Sequence, residues 1–546
     1  MCRERELRTA RRRWLMQAGV LSTSAALPLW VPHAVAEPQS PLNALPRVAL
    51  VIGNTRYPEA PLKNPGNDAK AIAGELQKVG FKVNLQLDTG RVQLAEAIQA
   101  FGADLARTKG VGLFYYAGHG AQLGWRNYLI PVDADIEKLE DMRTKTVELN
   151  LLLVGLTKAQ NSMNVIILDA CRDNPFGTKV PTENKGLSQF DAPPGSLLAY
   201  ATSPGNTASD GQGANGLYTE NLLREIKVPE AKVEDVFKRV RLNVRRSTNG
   251  AQIPWESTSL EEDFWFIPPK ELKEFSDEEM ETQFREQLAV WESVKNANDP
   301  EKLGAYLMRY PSGDYSELAH LKLDRLLAQR GERRIQVVTA EGNPYTKGTV
   351  RADTAYRLGD AFTYRRIDMD SGTAKGGYTT AISEITDTQV IYDRGLVTDL
   401  LGNTLRTADG RTFTDNQNVP VEFEVGKQWT TRYRVENPKG FTSFAEFNYQ
   451  IVSREPVTVA AGTFNAYLVE GTGTSTVPKG LHDIRLKTWW DPARVRRPVA
   501  REEVRTLIVE RKRSRQRARR REPTEPDTKS HALLAERQEL ISFKQG

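Results

Sequence analysis

The rhythm of apolar and polar positions changes twice along the chain. From Arg47 to about residue 266, short branched apolar runs alternate with stretches whose apolar residues recur every three or four positions. Val48 to Ile52, Phe81 to Leu87, Val111 to Tyr116, Val165 to Leu168 and Gly195 to Ala201 read as strands, and Phe264-Trp265-Phe266 closes the run. Helices are expected from Asn67, as N-cap, through Val79, and over Arg91 to Arg107, where Leu94, Ile98, Phe101 and Leu105 share a face. Further helices are expected over Val147 to Lys158, Leu217 to Ile226 and Val233 to Arg246. Consecutive apolar positions suit strands covered on both faces, so this alternation predicts a parallel-type sheet with helices on both sides.

After Pro268-Pro269 the pattern is helical over 270–330, with breaks at Asn298-Asp299-Pro300 and Tyr310-Pro311-Ser312-Gly313. The segment resembles one tetratricopeptide-like helical pair. One pair is too few for a solenoid, so it reads as a spacer or docking arm, with His320 as a structural residue. Residues 331–346 are linker-like. From there to about residue 510, short alternating strands separated by Asp409-Gly410, Asn437-Pro438 and Ala461-Gly462 predict an all-β sandwich or barrel over 347–510.

Composition adds little until the ends are separated from the body. The chain has 546 residues and a formal charge of +5. Residues 1–36 contain six Arg against two Glu, and residues 511–521 hold eight basic residues and no acid. The body between them is mildly acidic, which argues against a sequence-specific nucleic-acid reader. Arg11-Arg12-Arg13 before an apolar stretch, ending at Ala34-Val35-Ala36, reads as an export signal over 1–36 of twin-arginine character. The expectation is an exported protein, periplasmic or extracellular, with membrane association through an uncleaved N-terminal segment as the alternative. The Arg-rich run opens a tail, 511–546, expected to be disordered and able to contact anionic lipid or other polyanions.

The chemistry concentrates in the first region. Cys2 falls in the segment expected to be removed, which leaves Cys171, at the end of the Val165 strand, without a disulfide partner or a thiolate metal cluster. His119, in Y-Y-A-G-H-G, is the only histidine between Gln39 and Pro269, and it too ends a strand. Neighbouring parallel strands would bring both to one sheet edge, and a thiolate with an imidazole to manage protons is the equipment of thiol acyl transfer. A buried structural cysteine and a loop histidine are the plainer alternative.

A strand ending in H-G and another ending in D-A-C, 52 residues apart from His to Cys, resemble the caspase/metacaspase family of cysteine peptidases. R-V-A-L-V-I-G-N, N-D-A at Asn67 to Ala69, N-Y-L-I-P-V-D-A-D, A-Y-A-T-S-P-G, G-L-Y-T-E-N-L-L and Q-I-P-W-E extend the likeness over about residues 45–268. The resemblance implies a caspase-like α/β domain with Cys171 as nucleophile and His119 handling protons. The backbone N–H groups of Gly120 and Cys171 would form the oxyanion hole. Caspases that cut after Asp carry Gln two residues before the nucleophile; here Asp169 stands there, as an acid does in metacaspases. Asp68 matches a second metacaspase acid and Asp210, in T-A-S-D-G, a third. Carboxylates in a partly dry pocket suit a substrate Arg or Lys at P1. For Asp68, a helix N-terminal carboxylate is an equally open reading.

The chain departs from the family in carrying Ala117 where metacaspases often have Ser, and R-D-N-P-F after the thiol. No metal or cofactor is implied, and calcium activation, known for some metacaspases, stays open. Lys179 and Lys185 make the loop 172–194 a candidate self-processing site. The expected fold class is therefore a caspase-like sheet with helices on both faces, a short helical segment and an all-β C-terminal domain. The expected function is endopeptidase cleavage of protein or peptide substrates after Arg or Lys. The alternative is a catalytically inactive caspase-fold scaffold of the cell envelope, with the β domain providing the contact.

Overall fold

The computed structural model describes residues 41–171, 186–203, 213–271, 275–332, 342–478, 480–510 and 528–546. The alternating first region forms β1 (Arg47–Gly53), α1 (Pro65–Lys78), β2 (Phe81–Leu87), α2 (Arg91–Thr108), β3 (Val111–Leu123), β4 (Arg126–Leu129) and α3 (Asp141–Lys145). It continues through β5 (Val147–Glu148), α4 (Asn150–Ala159), β6 (Met163–Cys171), β7 (Ser196–Tyr200), α5 (Leu217–Glu225), α6 (Val233–Ser247) and β8 (Trp255–Thr258). The sheet order is β2-β1-β3-β6-β7-β8. It is parallel through β7, and β8 closes it antiparallel. The unbroken apolar runs are explained by burial on both faces. Ala49, Val51, Leu113, Tyr115, Val165 and Ile167 pack with α1, α5 and α6, while Val48, Leu50, Phe114, Tyr116, Ile166 and Leu168 pack against α2 and α4.

Three local expectations are corrected. The first helix starts at Pro65 after an Asn64 N-cap, not at Asn67, because proline's fixed φ suits the first helical turn. Val147 belongs to β5, and α4 begins at Asn150. Phe264 and Phe266 fill the core without forming the last strand, a place taken by Trp255–Thr258.

The helical stretch forms α7 (Asp277–Val294), α8 (Pro300–Arg309) and α9 (Ser316–Gln329). Ser276 and Glu279 cap α7 reciprocally, and the Asp299 carboxylate accepts from Glu301 N at 3.0 Å to start α8 beside Pro300. Phe284, Trp291, Tyr306 and Tyr315 make its core, which is continuous with Leu242 of α6 and with Val421 and Phe423 further on. The stretch is thus packed on both sides and does not stand free as a spacer. Burial pushes the His320 imidazole down to about 4, so it is neutral.

Beyond it come β9 (Val350–Arg351), β10 (Ala361–Asp368), β11 (Ala374–Ile385), β12 (Gln389–Tyr392), β13 (Val397–Asp399), β14 (Thr404–Arg406), β15 (Thr412–Phe413) and β16 (Glu422–Phe423). They are followed by β17 (Gln428–Glu436), β18 (Thr442–Val459), β19 (Gly462–Val477), β20 (Gly480–Trp490), β21 (Ala500–Glu510) and β22 (Thr528–Lys544). β9 and β16 pair as a separate ribbon, and the other twelve close a barrel among the described residues.

The barrel overturns part of the disordered-tail expectation. Residues 528–544 are β22, which pairs with both β21 and β10 and so removes the sheet's open edges. One of the two partners, β10, lies far away in sequence, which local charge and Pro content do not register. Residues 511–527 lie outside the described residues. Leu540 of β22 is fully buried, so Leu540→Ala is expected to cost about 2–5 kcal/mol in urea unfolding monitored on the barrel.

Charged groups bind the parts together. Arg245 of α6 donates to Asp324 of α9 at 2.5 Å and to Glu332 at 2.8 Å. Arg351 of β9 pairs with Asp324 and, at 3.2 Å, with Glu422. The Glu424 carboxyl, beside the Ser257 hydroxyl of β8, is pushed up to about 8 by burial, with the charges of Asp191 and Glu422 acting in the same direction. It is therefore protonated in the folded protein at neutral pH and ionised in the unfolded chain above about 4.5. Folding stability from this group is lost as pH rises from about 4.5 to 8. Glu424→Gln is expected to raise Tm at pH 8 and above while leaving it nearly unchanged at pH 4, as differential scanning calorimetry would read.

Candidate active site

The site lies at the C-terminal ends of β3 and β6, where open α/β sheets place their ligands. The two strands are in parallel register over their whole shared length, and the last aligned pair is His119 with Cys171. Unbroken apolar pairing upstream sets this register, because a one-residue slip would turn every core side chain of β6 to the opposite face.

His119 is 5 % exposed. Its Nε2 lies 2.7 Å from the Ala60 carbonyl oxygen, and its ring meets Tyr57 with centroids 4.4 Å apart. A carbonyl only accepts, so Nε2 carries the proton of the neutral imidazole and Nδ1 is the basic nitrogen. The backbone is held as firmly. His119 N donates to the Tyr57 hydroxyl at 2.9 Å, and the His119 carbonyl accepts from Tyr116 at 2.8 Å and from Ile130 N at 3.1 Å. A Cβ at Gly118 would sit 2.6 Å from the Tyr57 hydroxyl and 2.9 Å from that of Tyr116. Only glycine admits this approach. Gly120 is similarly tight, with a Cβ there 3.0 Å from Ala170 and from Leu187.

The two acids expected in the pocket come together across α5. Asp68, in the first turn of α1, is 3 % exposed, and its Oδ1 accepts from Gly216 N at 2.9 Å. Asp169 Oδ2 accepts from Thr219 Oγ1 at 2.7 Å and lies 3.2 Å from the Tyr115 hydroxyl. A Cβ at Gly216 would lie 3.2 Å from Asp68 Oδ2 and 4.0 Å from Asp169 Oδ2. Burial, then the charges of Asp169 and Asp68, hold the Tyr115 phenol well above its ordinary range, so it stays a donor. Asp210, Lys179 and Lys185 lie outside the described residues. Among the described residues, no cluster of three or more His, Cys, Asp or Glu could hold a metal ion.

Sequence reading did not find Tyr57, Ala60, Tyr115, Gly216 or Thr219. Tyr115 could have been found from strand parity, since it shares the face of β3 that matches Asp169 on β6. Tyr57 and Ala60 sit in an irregular loop, where no periodicity marks them.

Comparison with known proteins bears on the region that holds this sheet. Residues 46–265 match the caspase-domain family model of cysteine peptidases. Human mucosa-associated lymphoid tissue lymphoma translocation protein 1 is 29% identical over 242 residues, 43% of this chain and 28% of that protein. Its mouse homolog is 31% identical over 192 residues, 33% of this chain and 22% of the homolog. The chain therefore spans about a quarter of the length of these relatives. The crystal structure of the Drosophila initiator caspase Dronc aligns with 47% of this chain and 98% of that one, at 12% identity and a TM-score of 0.32. The similarity is to the caspase domain, over residues 46–265 of the chain.

Proposed function

We propose that the protein is a cysteine endopeptidase that cleaves protein substrates after Arg or Lys. The observation that carries this reading is the pairing of His119 with Cys171 at one sheet edge, beside two carboxylates gathered at the start of α5. In this mechanism His119 Nδ1 takes the Cys171 proton, and the thiolate attacks the scissile carbonyl. The Gly120 and Cys171 amides receive the oxyanion, and the imidazolium, supported through Nε2 by the Ala60 carbonyl, protonates the leaving amine. Water then resolves the thioester. Asp68 and Asp169 supply the negative field for the P1 cation, with Asp210 proposed as a further contact. The intact Cys and His weigh against the scaffold reading, which needs neither.

The test is hydrolysis of fluorogenic peptides that differ only in P1 (Arg, Lys or Asp), with and without calcium. Turnover of the Arg and Lys peptides supports the reading; preference for Asp overturns the pocket assignment. No turnover by folded protein in either condition favours the scaffold.

Export to the periplasm or beyond through residues 1–36 is proposed with it, and fractionation of the tagged full chain checks this. Contact of the barrel and the 511–521 run with anionic envelope components is a separate proposal. Salt-sensitive co-sedimentation with anionic vesicles would support it.

A further inference from the structure

We propose that Thr219 and Tyr115 are positioning residues: together they fix Asp169 toward the P1 cation, and α5 is the element that makes a two-carboxylate pocket tenable. This rests on the basic-P1 reading above. The hydroxyls of Tyr115, Thr219 and the Asp169 carboxylate form a triangle with edges of 2.6 Å (Tyr115 to Thr219), 2.7 Å (Thr219 to Asp169) and 3.2 Å (Tyr115 to Asp169). Two hydroxyl protons serve three edges. The two short edges define a relay in which Tyr115 donates to Thr219 and Thr219 donates to Asp169, each bond polarising the next.

Both hydroxyl residues are fully buried, so neither has the freedom to turn toward bulk water. Oδ2 of Asp169 is held by the Thr219 donor at 2.7 Å, with the Tyr115 hydroxyl 3.2 Å away, which fixes the carboxylate in place. Gly216 is the N-cap of α5 and Thr219 its third residue. The first turn of one helix therefore grips both acids, Asp68 through the Gly216 amide and Asp169 through the Thr219 hydroxyl. The positive end of the helix offsets the mutual repulsion of the two carboxylates. The absence of a side chain at Gly216 lets them approach one space, since a Cβ would already stand 3.2 Å from Asp68 Oδ2.

The experiment is steady-state kinetics of Thr219→Val, Thr219→Ser and Tyr115→Phe on Arg-P1 and Lys-P1 peptides, with the rate of Cys171 alkylation by iodoacetamide measured in parallel. Thr219→Val keeps the side-chain shape and removes the relay. It is expected to raise KM for the Arg peptide about tenfold, with kcat and alkylation rate within about twofold of wild type. Thr219→Ser is expected to restore KM. An unchanged KM in Thr219→Val, or loss of kcat and thiol reactivity together with no rescue by serine, would overturn the proposal. Should Thr219→Val fail to fold, Tyr115→Phe carries the same test, with a several-fold rise in KM expected and an unchanged KM overturning it. Failure of the basic-P1 reading is seen separately, in the wild type alone, as absence of preference for Arg and Lys.

Discussion

Cys171→Ala is expected to bring hydrolysis of Arg- and Lys-P1 peptides down to background, a loss on the order of 10⁴–10⁶-fold in kcat. In the proposed mechanism the thiol forms the acyl-enzyme, and residues 37–546 contain no second cysteine to replace it. His119→Ala is expected to cost a similar amount, because without an adjacent base the thiol is mostly protonated near neutral pH. The double variant should be scarcely worse than either single one, since the two residues act as a unit. Initial rates measured with protein of verified fold decide the matter. Residual turnover in Cys171→Ala within tenfold of wild type would exclude the thiol as nucleophile.

The second large effect concerns charge. Asp169→Asn and Asp68→Asn are each expected to lower kcat/KM for Arg peptides about 10–100-fold, the worth of one charge-assisted contact in a partly dry pocket. The loss should fall mainly on KM. Asp169→Asn keeps the shape that Thr219 and Tyr115 grip, so the comparison isolates the negative charge. Discrimination between Arg and a neutral P1 residue should shrink in both variants. Equal losses on basic and neutral peptides would mean that the carboxylates serve the fold and not specificity.

The caspase-like sheet was legible because its strands are buried on both faces and announce themselves as unbroken apolar runs. The juxtaposition of His119 and Cys171 followed from strand ends and parallel topology, and the register between β3 and β6 now gives it a physical basis. Asp169 was legible as part of D-A-C. Its partners were not, because Tyr115 reads as one more core aromatic and Thr219 as an ordinary first-turn residue. The barrel was visible only in part. Strands with clean alternation, such as β17 and β18, stood out. β11 opens A-K-G-G, and β22 follows a strongly basic run. β11 is held extended by pairing with its sequence neighbours β10 and β12, and β22 by β21 and by β10, which lies far away in sequence.

The residues that end the loop after Cys171 do not belong to the peptidase sheet alone. Gln189 and Asp191 exchange hydrogen bonds with Asn343, Tyr345, Thr346, Lys347 and Thr349, and Phe190 stacks on Tyr345 at 4.9 Å. Residues 189–191 are thus sewn to the segment that leads into the barrel. A chain cut between the two would lose that seam and uncover an aromatic face. The caspase-like sheet and the barrel should therefore melt as one cooperative unit, and a solitary 45–268 fragment would lack part of its own packing.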